Sequence, residues 1–230
     1  MIVIVTLANK PKYLPDAMAS VEAQTRRDFK HIVQMDEGIG WDGRYPPAAF
    51  WNEQVEAVGM DDYVCWLSDD DLLLPNYVED LAGHLDAHQE VDCCYGGSRV
   101  ENWDEAGKIA DAQFLPMEGY VVFSGAWEPS CRIDGGQFMM RRSALEAIPR
   151  PWVPEGITID PNAHPITMQE RYSDAIFMNK VAWIFGIYPI GKQVMINRST
   201  ELSGHARIVD GVSTVADWRT APTKDFGKTI

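Results

Sequence analysis

The chain has 230 residues, 46% of them hydrophobic and 23% charged, enough to bury a full core within one domain. Its 34 acidic and 20 basic residues leave a formal charge of −14, which repels polyphosphate backbones and disfavours direct binding of unmodified nucleic acid. No apolar run approaches the roughly 18 residues that a membrane span needs, and Met1 leads straight into a strand-like stretch without a charged leader. A cytoplasmic protein with no membrane span is therefore expected.

In chain order, Met1 to Ala8 is a continuous β-branched run that suits a strand buried on both faces of a parallel sheet. Leu14, Ala17, Met18 and Val21 recur at helical spacing, and a second apolar strand runs from Phe29 to Met35, which together make a βαβ beginning. Residues 38 to 50, rich in Gly, Pro and Trp, read as a loop; Asn52 to Val58 can form a helix, and Tyr63 to Leu67 a third strand. That strand stops at Ser68-Asp69-Asp70-Asp71, and Pro75 opens a helix with Tyr77, Val78, Leu81 and Leu85 on one side. A fourth strand is expected around Val91 to Tyr95.

The second half is less regular. Gln113 to Phe123 has turn and strand character, and Gly135-Gly136 precedes the apolar Phe138 to Met140 and a helix from Ser143 to Ile148. Pro149 to Pro165 reads as a long loop of a kind that is often functional. A helix from about Tyr172 to Ala182 and a strand near Gln193 to Asn197 follow. The division expected is a folded domain over 1–203 and a polar, Gly-rich arm over 204–230. Cys65, Cys93, Cys94 and Cys131 lack CxxC spacing and sit mostly in apolar surroundings, so they read as small buried hydrophobes.

Three consecutive carboxylates at a strand's carboxyl end are the strongest chemical signal. Ligands of open α/β sheets bind beyond the carboxyl ends of strands. Adjacent like charges repel unless a cation offsets them, and hard oxygen ligands suit Mg²⁺ or Mn²⁺ held by one or two carboxylates and substrate phosphates. The plain alternative is an acidic turn whose aspartates cap the next helix.

The segment Val3-Ile-Val-Thr-Leu-Ala-Asn-Lys-Pro11, with Tyr13-Leu14 and Ser20-Val-Glu-Ala-Gln-Thr25, resembles the opening of the inverting family 2 glycosyltransferases, and the resemblance extends over roughly residues 1 to 203. It implies a GT-A type α/β fold, with a single mainly parallel central sheet flanked by helices, and transfer of a sugar from a nucleotide diphosphate, most readily a UDP-sugar. In that register Thr6, Ala8 and Asn9 at the end of the first strand and Asp36 at the end of the second bind the nucleotide, with Met35 replacing an earlier Asp of the family pattern. Asn52 matches a recurring Asn, and Trp51 stands where an Arg is common. Trp66-Leu-Ser-Asp-Asp-Asp-Leu-Leu-Leu-Pro75 resembles the metal-binding DXD region. The register makes Asp70 the ligand of a divalent metal, Mn²⁺ or Mg²⁺, with Asp71 near the metal or the sugar and Asp69 near the ribose. Ser68 takes the place of the usual first Asp.

Asp134-Gly-Gly-Gln-Phe-Met-Met-Arg-Arg142 resembles the segment that lines the donor sugar, where Gly135 and Gly136 allow close backbone approach. Their alternative is a tight turn needing positive φ. Arg141 and Arg142 read equally as ordinary residues capping a helix. The resemblance puts the family's Glu-Asp pair at Ser173-Asp174 and its later Arg at Lys180, so Asp174 is the expected general base, with Glu170 as the alternate. A structural reading instead has Asp174 favouring a helix dipole. Arg198 lies nearer than His205 to the register of a further metal-proximal group. Aromatics at Trp41, Tyr45 and Phe50 pack a loop more often than they stack on a ligand. The rival readings are a nucleotidyltransferase, for which residues 7–11 lack a Gly-rich loop, and a sugar-nucleotide-binding protein with a decayed site. No pattern identifies the acceptor.

Overall fold

The computed structural model describes residues 1–8, 11–35, 62–104, 107–108, 113–114, 133, 135–148, 173–199, 208–209 and 212–213. The expected helix at 52–58, the Pro-rich loop and most of the arm lie outside these. Strand β1 (Ile2–Ala8) is followed by α1 (Leu14–Glu22) and β2 (Phe29–Met35), then β3 (Tyr63–Ser68), the short β4 (Leu72–Leu73) and α2 (Tyr77–Ala87). Next come β5 (Cys93–Asp104), β6 (Gly107–Lys108), β7 (Gln113–Phe114), β8 (Phe138–Arg141) and α3 (Arg142–Glu146). The chain continues with α4 (Ser173–Ile184) and β9 (Tyr188–Ser199). Within the expected arm, β10 (Ile208–Val209) and β11 (Val212–Ser213) form a small antiparallel pair.

The sheet runs in the order β2-β1-β3-β8-β5-β9-β4, with β6 and β7 paired to β5. Its long ladders are parallel: β1 pairs with β2 through seven residues, with β3 through six, and β5 pairs with β9 through eight. β8 and β4 run antiparallel to their neighbours. The β-branched residues of β1 explain its central position, because they fill both faces. Val3 and Val5 join one buried cluster with Trp66, Phe138, Leu145 and Phe177, and Ile2 and Ile4 join the other with Ala17, Leu81 and Val194. Helices α3 and α4 thus cover one face and α1 and α2 the other, which is the mixed, helix-flanked sheet that the sequence implies.

Of the two readings of Gly135 and Gly136, the turn needing positive φ does not hold. Positive φ among the described residues occurs at Gly186 (76°) and Gly191 (71°), and not at Gly135 or Gly136. Gly186 ends α4, where its N–H bonds the carbonyl of Ala182 at 3.2 Å and turns the chain into β9.

Candidate functional site

The parallel register brings Ala8 opposite Met35 and Leu7 opposite Ser68, so β1, β2 and β3 end together. Directly after β3, the chain turns over Ser68 to Asp71, closed by the Asp71 N–H on the Ser68 carbonyl at 3.2 Å. All three aspartates are buried, at 2%, 4% and 3% exposure for Asp69, Asp70 and Asp71. They do not cap a helix: α2 begins at Tyr77 with Asn76 as its N-cap, after β4 and Pro75.

Burying such a turn requires anchors, and the sequence supplies them on three sides. Downstream, Leu72 and Leu73 pair with Ile196 and Met195, and the Leu74 N–H bonds Val194 at 2.7 Å. From α1, the Ser20 hydroxyl accepts the Leu73 N–H at 3.1 Å. The buried Gln24 amide donates to Ser20 and Leu74 carbonyls at 3.0 and 2.8 Å and accepts the Val78 N–H at 3.0 Å. The Ser20 to Thr25 segment, noted only as a sequence signature, is therefore the clasp that holds the chain leaving the acidic turn.

The third anchor is Arg198. Continuing the β4–β9 register by two residues places Asp70 opposite Arg198. The Arg198 N–H bonds the Asp71 carboxylate at 2.8 Å, and its Nε donates to the Asp70 carbonyl. Its Nη1 reaches Asp16 of α1 at 2.7 Å, its Nη2 the Tyr13 carbonyl at 3.4 Å, and its plane lies 5.5 Å from the Tyr13 ring centroid. Beside it in the β5–β9 register sits Glu101, 3% exposed and paired with Arg99 at 2.6 Å. Sequence reasoning missed Asp16, whose position at a helix start reads as ordinary, and Glu101, which carries no local signal.

Gly136 approaches this turn from β8. A Cβ there would lie 3.0 Å from the Met195 sulfur and methyl, the far end of a flexible side chain, and 3.7 Å from the Trp66 carbonyl, so the packing around Gly136 is tight. Gly135 is buried beside it. Trp66, Phe138 and Phe177 pack with ring centroids 5.3 to 5.6 Å apart and seat α4 on β3. Asp174 is the second residue of α4. Lys180 is half-buried further along, and burial lowers its pKa.

Thr6 is fully buried with its hydroxyl 3.0 Å from His31 Nε2, and Ala8 is buried at the strand end. Burial also lowers the His31 pKa. Asn9, Asp36, Asn52, Glu170 and His205 lie outside the described residues. Arg141 caps α2 through the carbonyls of Leu85 and His88 at 2.6 and 3.2 Å, while Arg142 is buried and paired with Glu146 at 2.6 Å. Arg141 thus caps a helix as that reading has it, whereas Arg142 is buried and pairs along its own helix.

Among the described residues, no group of three or more His, Cys, Asp or Glu side chains forms a closed metal cage. A hard cation that takes one or two carboxylates and completes its shell with water and phosphate oxygens needs no such cage.

The fold is found in solved structures. S. aureus TarS 1–349 superposes with a TM-score of 0.57 at 14% identity, covering 86% of this chain and 60% of that one. The chain has a glycosyltransferase fold. A second structure, of S. aureus TarS, gives 0.54 at 13% identity over 86% of this chain and 36% of its own. TarS 1–349 in complex with UDP-GlcNAc gives 0.54 at 14% identity over 89% and 59%. The chain thus spans about three fifths of the TarS 1–349 structure. No family model matches the sequence.

Proposed function

We propose that this glycosyltransferase-fold chain transfers a sugar from a UDP-sugar to an acceptor hydroxyl with inversion at the anomeric carbon. The observation that carries the reading is the buried acidic turn at the carboxyl end of β3, faced by Gly136, in a sheet that superposes on TarS bound to UDP-GlcNAc. In this reading, Thr6, Ala8, Asn9 and Asp36 receive the nucleotide, Asn52 and Asp69 its ribose side, and Gly135 and Gly136 the sugar.

Asp70 and Asp71 would hold Mn²⁺ or Mg²⁺. A cation bound there neutralises charge that builds on the departing diphosphate. Asp174 takes the acceptor's proton as the acceptor oxygen bonds the anomeric carbon and the bond from that carbon to UDP breaks.

A thermal-shift panel of nucleotide diphosphates and nucleotide sugars, with and without Mn²⁺, tests the donor site, since a ligand bound to the folded state raises apparent stability. A metal-dependent shift with uridine compounds is expected. Absence of any shift across the panel, repeated by calorimetry, would overturn the reading; binding without UDP release on adding acceptors would leave a sugar-nucleotide-binding protein.

A further inference from the structure

We infer that Arg198 is a positioning residue of the donor site, holding the acidic turn in place through a latch whose outer end is Asp16. The inference rests on the donor-site reading and adds a component to it. The Arg198 side chain is 0% exposed, and such a charge is costly to bury unless its donors are engaged. Here they engage two segments remote in sequence: the turn, at Asp70, and the start of α1, at Tyr13 and Asp16.

A buried ion pair adds little stability beyond what a well-packed apolar side chain would give. An apolar residue could not, however, donate to the Asp70 carbonyl, and that bond fixes how the turn's backbone faces the ends of β1 and β3. The Arg198 main chain simultaneously fixes one Asp71 carboxylate oxygen. Arg198 thus contributes two of the turn's anchoring bonds, and its guanidinium is itself aimed by a carboxylate that is 61% exposed. Lysine would keep the charge but not the planar fork that spreads donors over separate acceptors.

Because Asp16 is exposed, Asp16→Ala opens the latch from outside the core. Calorimetric titration of UDP with Mn²⁺ should show affinity about threefold weaker in Asp16→Ala, as for loss of one partly exposed charged contact. The melting temperature without ligand should fall by no more than about 3 °C. Asp16→Glu should recover most of the affinity, and Arg198→Lys should lose about tenfold or more. If Arg198→Lys fails to fold, the Asp16→Ala and Asp16→Glu pair decides alone. Wild-type affinity in Asp16→Ala, or a loss that Asp16→Glu does not restore, overturns the latch while leaving the donor site standing. Failure of the wild-type protein to bind UDP with Mn²⁺ overturns the donor-site reading, and the latch with it.

Discussion

Asp69, Asp70 and Asp71 are consecutive and equally buried, yet the fold gives them different duties. Asp71 Oδ1 terminates the β4–β9 ladder by taking the Arg198 N–H, so Asp71→Ala should strand a buried donor and cost about 1–3 kcal/mol, read as a lower urea midpoint. Asp71→Asn keeps an acceptor oxygen and should cost less. Asp70 meets Arg198 through its carbonyl, which any residue provides, so Asp70→Asn should fold normally and weaken Mn²⁺-dependent UDP binding. Unchanged metal dependence in that variant would remove Asp70 from the metal. Asp174→Asn should spare donor binding and reduce transfer by roughly 10²–10⁴-fold, and near-wild-type transfer would eliminate it as the base. The triplet was legible because three acids in a row after an apolar strand are a local pattern. Arg198 and Asp70 are 128 residues apart, and nothing local in either segment announces the contact.

Elements were legible where their pattern is local, and their ends were not. β1, α1 and β2 follow directly from a β-branched run, a helical apolar spacing and a second run, because both sheet faces are covered. The helix after the acids starts at Tyr77 rather than at Pro75, since β4 intervenes to pair with β9. β5 continues from Tyr95 to Asp104 through polar residues, where apolar patterning stops, because β9 and β7 supply its ladder partners. β9 likewise starts at Tyr188, before the apolar stretch. The β5–β9 seam has a register shift between Tyr95 and Gly97, and Gly96 lies within it. A Cβ on Gly96 would sit 2.4 and 2.6 Å from the Val194 methyls and 2.9 Å from the Lys192 carbonyl, which is backbone and cannot swing aside. Gly96→Ala should therefore cost about 1–3 kcal/mol by overpacking. At about 2–4 °C per kcal/mol for a chain of this size, differential scanning calorimetry should record the loss. Gly136→Ala meets only the flexible end of Met195 and should be milder in stability, with its larger effect on donor affinity.

At the scale of the molecule, both faces of the sheet are dry, and the cysteines report it. Cys93 belongs to one buried cluster and Cys65 and Cys94 to the other, and all three are free thiols, as their apolar neighbourhoods imply; Cys131 lies outside the described residues. Burial pushes the Cys65 thiol up to about 12 and raises Cys93 and Cys94 as well, while Tyr77, also fully buried, is raised above its ordinary value. The thermodynamic consequence has a definite sign. Below the ordinary thiol value of 9.0 these groups are protonated in both folded and unfolded chains and contribute nothing to pH dependence. Above it the unfolded chain loses protons that the folded chain keeps, so stability declines as pH rises, by about 1.4 kcal/mol per thiol per pH unit until the folded pKa is reached. Urea unfolding followed from pH 8 to 10.5 under reducing conditions should show a midpoint that is level near pH 8 and falls steeply above 9. Replacing Cys65 with alanine should lower stability at pH 8 but make the alkaline slope shallower by one thiol's share. A flat profile through pH 10.5 would mean that the thiols ionise in the folded state, and that the sheet is not closed on both faces by its helices.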